Sequence, residues 1–365
     1  MQRGKTIQQL SSTLLALRND ARDFVVPASK MTVGYAENGD RRQPVMTWTN
    51  GGTDGHKAVL NTWSHGQLAS YADVPKAYND RLFNENPILW AQNLNHGLAI
   101  SGPDRRMVRT VDGSVRAFLS PKYRRLDSAD LAEAILPDLL QAEMEVVSSD
   151  VTDRRVYLRA VNPRMLADVK VGDTVQSGIM ISNSDVGAGA LRVEPFIVRL
   201  VCMNGMVREH AFKKAHLGRS LAVSDDSIEL LSDATLRLGE KAFWAEVKDV
   251  VKACLDPALF AREVDKLKAA ADRKITNFNL QEVVEMTCRA VGLNTQKATQ
   301  VSILDFLAAG NDGAGLTAWG LSQAFTAAAV LPEVDFDHAV ELERAGGAII
   351  DLSPGQWTSI AEKRR

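Results

Sequence analysis

The chain has 365 residues, with 43 Lys and Arg against 45 Asp and Glu and 45% hydrophobic residues, the balance of a globular protein large enough for two or three domains. That excludes disordered and collagen-like classes, and no window reaches the roughly 18 uninterrupted apolar residues of a membrane-spanning helix. The opening MQRGKTIQQLSSTLLALRND has no apolar signal core ahead of a small-residue cleavage site, so the expectation is a cytoplasmic protein without a membrane partner.

In chain order, Ile7, Leu10, Leu14 and Leu17 recur at helical spacing and predict an amphipathic arm over 6–24, ended before VVP because Pro27 disfavours helix at Val26. QPVMTWT (43–49) and KAVLNTW (57–63) flank the turn residues NGGTDG and predict a β-hairpin of undecided register. From His65 to Leu98 the pattern is helical in short pieces broken by Pro75 and Pro87, with Leu68, Tyr71, Tyr78, Leu82, Ile88, Leu89, Trp90 and Leu94 as expected core. Its candidate recognition helix carries only Arg81 as a cation, which argues against a DNA-reading helix-turn-helix.

A strand hairpin is expected around Asp112-Gly113, then an extended piece to Tyr123 and an acidic helix capped by Asp127 or Ser128. MEVVSSDVTDRRVYLRAV predicts two strands around a Ser-Ser-Asp turn. In the second, Val156, Leu158 and Ala160 alternate with Tyr157, Arg159 and Val161, which makes one face partly cationic and aromatic. TVQSGIMISNSDVGAG and ALRVEPFIVRLVCMNGMV predict two long antiparallel strands joined by a polar loop. Pro195 in the second marks an expected bulge that would bring Arg199 to the face of Arg192.

After MVREHAFKKAHLGR the pattern is helical: 225–254 with a break near Gly239, a helix starting at Pro257, then 280–291, 297–309, 316–330 and 336–345, and a last helix capped by Ser353. The expected fold class is α+β, a central antiparallel sheet of β-hairpins flanked by helices with a helical C-terminal part. The expected division is 1–100 (arm, hairpin and small helical module), 101–220 (basic β domain) and 221–365 (acidic helical region).

Charge is uneven along the chain. Residues 101–125 hold 7 Lys and Arg against 2 Asp and Glu, 126–150 hold 0 against 7, 151–220 hold 11 against 6, and 221–365 hold 15 against 22. A basic middle is what a phosphate-backbone binder shows; it is also what a surface of mutually paired charges shows. Phe118, Tyr123, Tyr157 and Phe196 interleave with Arg116, Lys122, Arg124, Arg125, Arg155, Arg159, Arg192 and Arg199, and rings that stack on bases beside cations that follow phosphates are the means of binding single strands. The competing reading makes Phe118 and Phe196 core residues with arginines outside.

Walker A, GxGxxG, HExxH, GxSxG and paired CxxC patterns are absent, so no catalytic residue, metal site or cofactor is expected. His210 and His216, six residues apart, do not share a metal on a regular helix. Cys202, Cys254 and Cys288 are far apart in sequence and are expected to be buried thiols. SNSDVGAG (182–189) offers an anion nest around Gly187 and Gly189, opposed by Asp185; the conformational reading of a hairpin connection is favoured.

RAFLSPKYRRLDSADLAEAILP and GIMISNSDVGAGALRVEPFIVRLVCMNGM resemble the signature region of a phage and plasmid-borne family, number 932 in the domain-of-unknown-function series, from about Leu60 to about Ala345, with TAWGLSQAFT and ELERAGG as weaker echoes. The family supplies no activity or catalytic residue to carry over. What the resemblance implies is a gene on mobile elements beside replication, recombination or defence functions, where single-strand annealing proteins of the RecT and Red-beta type share this outline.

The leading expectation is therefore a non-enzymatic, homo-oligomeric protein that binds or anneals single-stranded DNA in recombination or replication. Its groove would be lined by Arg116, Lys122, Tyr123, Arg124, Arg125, Arg155, Arg159, Arg192 and Arg199. The alternatives are a module that binds or inhibits a host or phage protein, and a nucleic-acid enzyme whose carboxylates come together only on folding.

Overall fold

The computed structural model describes residues 4–39, 41–49, 55–102, 104–121, 123, 126–208, 212–214, 233–310 and 313–362. The amphipathic arm is α1 (Ile7–Asp20), opened by a capping box in which Thr6 and Gln9 satisfy each other's backbone N–H groups. The first sheet follows: β1 (Arg22–Pro27), β2 (Met31–Asn38), β3 (Arg41–Thr49) and β4 (Gly55–Leu60), then three helices, α2 (Thr62–Tyr71), α3 (Lys76–Glu85) and α4 (Pro87–Ile100), then β5 (Arg105–Val111) and β6 (Ser114–Leu119). Its strand order is β1-β5-β6-β4-β3-β2, antiparallel except for the β4–β6 pair. The β5–β6 turn is made by Asp112 and Gly113, both at positive φ, 46° and 70°, the backbone that a two-residue hairpin requires and that Asp-Gly supplies.

The second sheet is built from long hairpins. After α5 (Ser128–Gln141) come β7 (Glu145–Val151), β8 (Val156–Lys170), β9 (Asp173–Asn183), β10 (Leu191–Arg199), β11 (Asn204–Val207) and β12 (Phe212–Lys214), in the order β11-β10-β9-β8-β7, with β12 also on β10. The chain ends in helices α6 (Asp233–Cys254), α7 (Pro257–Asp272), α8 (Leu280–Ala290), α9 (Lys297–Ala308), α10 (Ala318–Ala328), α11 (Phe336–Ile350) and α12 (Pro354–Ala361), the last capped by Ser353 as its sequence predicts. The fold is α+β with a helical C-terminal region. None of the helices among the described residues is long and apolar enough to cross a membrane.

This second sheet is covered on both faces. Val156, Leu158, Ala160, Ile179, Ile181, Leu191 and Val193 pack with Leu10 and Leu14 of α1, with α5, and with Phe243, Val247 and Val251 of α6. On the opposite face Tyr157, Val161, Met180, Phe196 and Val198 pack with Phe336 and Val340 of α11. Val169, Val175, Ile197 and Met206 join a further core made with α7 to α12. The alternation read in β8 is therefore present, but the Tyr157–Arg159–Val161 face meets a helix instead of solvent.

Double coverage corrects several expectations. Arg159 and Arg199, expected on an open face, are 0% and 2% exposed. Arg159 donates to Glu343 Oε2 at 2.7 Å and to Ser148 Oγ at 3.1 Å. Arg199 holds both oxygens of Asp173, at 2.5 and 3.1 Å, with Trp319 Nε1 on the same carboxylate. A third guanidinium, Arg208, is wholly buried against Glu263, Asp351 and the Gly347 carbonyl. Stripping these charges of water is costly, and only a paired carboxylate makes it tolerable.

The expected bulge at Pro195 does not occur, since β9 and β10 pair without a register shift from Arg192 to Arg199. On its other side β10 meets β12 along Leu191–Val193 and β11 along Phe196–Arg199, and Pro195 stands between the two pairings, where no ladder donor is needed. Ser148, Ser149 and Asp150 lie within β7 and not in a turn. Ser149 is held there by the N-terminal segment, whose Lys5 carbonyl accepts from its hydroxyl.

The helix α6 runs through Gly239 without a break. In the small helical module Leu68, Leu82, Trp90 and Leu94 are buried, whereas Tyr78, Ile88 and Leu89 are exposed. β5 and β6 pair into the same sheet as β1 to β4, so residues 105–119 share a core with the N-terminal part. Cys254 and Cys288 are buried, with burial raising their pKa to about 12 and about 11; Cys202 is half-buried.

The Arg159–Glu343 pair gives a direct stability test. Glu343→Ala leaves a buried guanidinium with only a hydroxyl partner and is expected to lower unfolding free energy by about 3–5 kcal/mol in urea titrations. A loss below about 1 kcal/mol would mean that the pair does not anchor α11 to the sheet.

Candidate anion-binding site

The connection between β9 and β10, residues 184–190, joins the two sheets. Trp63 Nε1 of α2 donates to the Val186 carbonyl at 2.8 Å, Gln67 Nε2 to the same oxygen at 2.9 Å, and Arg109 Nη1 to the Asp185 carbonyl at 3.0 Å. Tyr123, expected on the groove, donates its hydroxyl to the Ser184 carbonyl at 3.0 Å and accepts from Gly187 N–H. Burial raises the pKa of that phenol, keeping it neutral. Because Gly187 N–H is committed to Tyr123 and Ala188 N–H to Ser184 Oγ, the loop is a clamp and not an anion nest.

Arg109 is nearly buried beside Asp23, Asp127 and Asp185. Arg116 lies next to Asp185, 4.0 Å away, and donates to the Thr152 carbonyl. Of the nine residues expected to line a groove, Tyr123 and Arg116 thus belong to the junction between sheets, and Arg159 and Arg199 to the interior. Lys122, Arg124 and Arg125 lie outside the described residues. The expected single open channel along the hairpins is not formed by those that are described.

Arg155 and Arg192 do converge. They line a cavity of about 450 Å³ together with Arg154 and Arg344, Trp63, Tyr157, Ala188, the α8–α9 connection at residues 291–294, and Asp337 and Glu341 of α11. Four guanidinium groups therefore meet where the first sheet's helices, the second sheet and the C-terminal helices come together. Arg154 and Arg155 occupy the turn between β7 and β8, Arg192 projects from β10, and Arg344 comes from α11.

Three of the four are paired. Arg154 donates Nε to Asp337 Oδ2 at 2.9 Å, and the other oxygen of Asp337 accepts from Tyr157 at 2.7 Å. Burial, with Asp337 close by, raises the pKa of Tyr157, so the phenol stays protonated as a donor. Arg344 holds Glu194 through Nε at 3.1 Å and Nη2 at 2.5 Å, and Arg192 Nη1 reaches Glu194 Oε1 at 3.4 Å. Burial opposes the charge on Arg344, and Glu194 more than offsets this, so its pKa stays above the usual guanidinium value.

Arg155 is different. It has no carboxylate partner among the described residues; its Nη2 donates to the Ala188 carbonyl, and its Nη1 is buried without an acceptor. Arg192 Nε is likewise buried without one. Burial lowers the pKa of Arg155, against an opposing influence of Tyr157 and Asp337, and the positive charges of Arg344 and Arg192 add to the lowering. Among the described residues the four guanidinium groups meet three carboxylates, Asp337, Glu341 and the Glu194 that Arg192 and Arg344 share, which leaves one cation in excess, in a cavity with an aromatic wall, Trp63, over which Arg154 sits 6.0 Å from the ring centre. Such a site is complementary to an anion carried on a partly apolar group.

Sequence reasoning missed Arg154, Arg344 and Trp63. The run Asp-Arg-Arg at 153–155 was a usable signal for Arg154. Arg344 and Trp63 carried none, lying far from Arg155 in sequence and in helical segments of ordinary composition.

Gly189 seats Arg155. Its φ is +137°, outside the range of L side chains, and a Cβ there would meet the Arg155 guanidinium. Gly189→Ala is expected to cost about 1–3 kcal/mol in urea unfolding; an unchanged midpoint would show that the loop does not fix the arginine.

No curated protein and no solved structure matches the chain. The family model described as Domain of unknown function (DUF932) matches residues 117–330. That span contains Arg154, Arg155, Tyr157, Ala188, Arg192 and the α8–α9 connection of the cavity, while Trp63 and the α11 residues fall outside it. A match over more than half of the sequence, from β6 through α10 to Val330, places the two central hairpins and most of the helical region in one family: the chain belongs to the DUF932 family.

Proposed function

We propose that this chain binds single-stranded DNA, using the four-arginine cavity as its phosphate contact, in the recombination or replication of mobile genetic elements. The observation that carries the reading is Arg155: a guanidinium crowded by Arg192 and Arg344, without a carboxylate partner among the described residues, on the wall of a cavity that also presents Trp63. A phosphate oxygen gives Arg155 the acceptor and the negative charge it lacks. An exposed base, available only in a single strand, finds a planar apolar surface in Trp63. The mobile-element setting rests on the family resemblance described above.

The geometry also fixes how strongly salt should act. A channel lined by all nine expected residues would give a steep dependence, whereas this cavity accommodates one or two phosphates. The expected slope of log affinity against log salt is then about −0.7 to −1.4, at roughly −0.7 per phosphate for single strands.

Fluorescence anisotropy with a labelled single-stranded oligonucleotide tests the reading. Wild-type protein is expected to bind at low salt with that shallow slope, and Arg155→Gln to weaken binding by about 10- to 100-fold, the value of a charged hydrogen bond. Because Arg155 has no carboxylate partner among the described residues, the ligand-free variant is expected to unfold at the wild-type urea midpoint or above it. No binding at low salt, or Arg155→Gln binding as wild type does, would overturn the proposal; a variant that loses binding only because it unfolds would show Arg155 to be structural.

A further inference from the structure

We propose that the arginine cavity recognises a terminal phosphomonoester, the phosphorylated end of a nucleic acid strand, rather than an internal phosphodiester. The inference rests on the preceding reading of the cavity as a single-strand phosphate site and narrows its ligand. Three observations carry it.

The first is size. At about 450 Å³ the cavity has the volume of a small-molecule site and takes about one nucleotide. A groove that follows a strand needs several successive stations for phosphates.

The second is the arrangement of charge. Arg154, Arg155, Arg192 and Arg344 line the cavity together with Asp337, which Arg154 and Tyr157 hold, and Glu341, which stands on the same helix as Arg344. Glu341 is well exposed and held by His338, whose Nδ1 is 3.1 Å from its Oε2; that contact and its charge hold its pKa below the usual carboxylate value, so it remains an anion. A strand continuing through the cavity would bring its next phosphate toward Glu341, where like charges repel. An end places one phosphate among the arginines and leaves the remaining chain outside.

The third is the valence of the site. Arg155 and Arg192 each have a buried donor without an acceptor, and neighbouring positive charges disfavour the charge on Arg155. A monoester presents three non-bridging oxygens and close to two negative charges at neutral pH, against two oxygens and one charge for a diester. Planar guanidinium forks match such a group in pairs of parallel hydrogen bonds.

The test compares one oligonucleotide sequence in four forms: 5′-phosphorylated, 3′-phosphorylated, bearing hydroxyls at both ends, and circular. A phosphorylated linear form is expected to bind at least tenfold more tightly than the hydroxyl and circular forms, and whether the 5′ or the 3′ form does so identifies the end. A nucleoside monophosphate is expected to compete, and the corresponding nucleoside is not. The preference is expected to fade as pH falls through about 6, where the monoester loses its second charge, and to disappear in Arg155→Gln. Equal affinity for all four forms, each weakened in Arg155→Gln, would overturn end recognition while leaving the single-strand site in place. Failure of every form to bind at low salt would remove both.

Discussion

The structure depends on how the second sheet buries its arginines. A sheet covered on one side can send its charges to solvent, but this one is packed between α1, α5 and α6 on one face and α11 on the other. Arg159, Arg199 and Arg208 are enclosed, and each is matched to a carboxylate at the position where it enters the core: Glu343 on α11, Asp173 at the start of β9, and Glu263 on α7 with Asp351 after α11. These pairs tie the helices to the hairpins at fixed points. An interior of this kind gains its net stability from apolar burial, while the ion pairs make the alternatives costly, because sliding a helix would strand a desolvated charge.

Against that background of matched charge, the cavity beside Trp63 is an exception. The same sheet that pairs Arg159 and Arg199 leaves Arg155 without a carboxylate partner among the described residues, although Asp337 and Glu194 stand nearby and are taken by Arg154, Tyr157, Arg192 and Arg344. The loop from Ser184 to Ala190 adds to this arrangement: it bonds to Trp63, Gln67 and Tyr123 of the N-terminal part and gives the Arg155 side chain its single described hydrogen bond, from Nη2 to the Ala188 carbonyl. The clamp between sheets and the wall of the cavity are thus one loop. Binding in the cavity would therefore be felt by both sheets.

Much of the fold was legible in the sequence because its signals are local. Asp112-Gly113, the Ser353 cap, Pro257 at a helix start and the polar connection between β9 and β10 all act over a few residues, and each stands where its pattern predicts. The errors share a different cause. Ser148-Ser149-Asp150 has turn composition, yet the N-terminal segment bonds to Ser149 and holds it in a strand. Arg159 alternates as a solvent-facing residue does, Arg199 reaches such a face only through a bulge at Pro195 that β9 and β10 do not form, and only helices far along the chain show that both are covered. The site was half legible: Arg155 and Arg192 stand out as cations on strands, whereas Arg344 and Trp63 join them only through the packing of α11 and α2, which no local pattern encodes.

The central claim is that the described carboxylates neutralise the buried strand arginines and leave Arg155, beside an Arg192 whose Nε has no acceptor, to be neutralised by a ligand. Side-chain ¹H–¹⁵N correlation spectra of the arginine Nε groups, recorded while a 5′-phosphorylated single-stranded oligonucleotide is added at low salt, test it most directly. The account predicts saturable shifts of the Arg155 and Arg192 Nε–H signals, with those of Arg159 and Arg199 unmoved. Shifts confined to other arginines, with Arg155 and Arg192 silent, would contradict it.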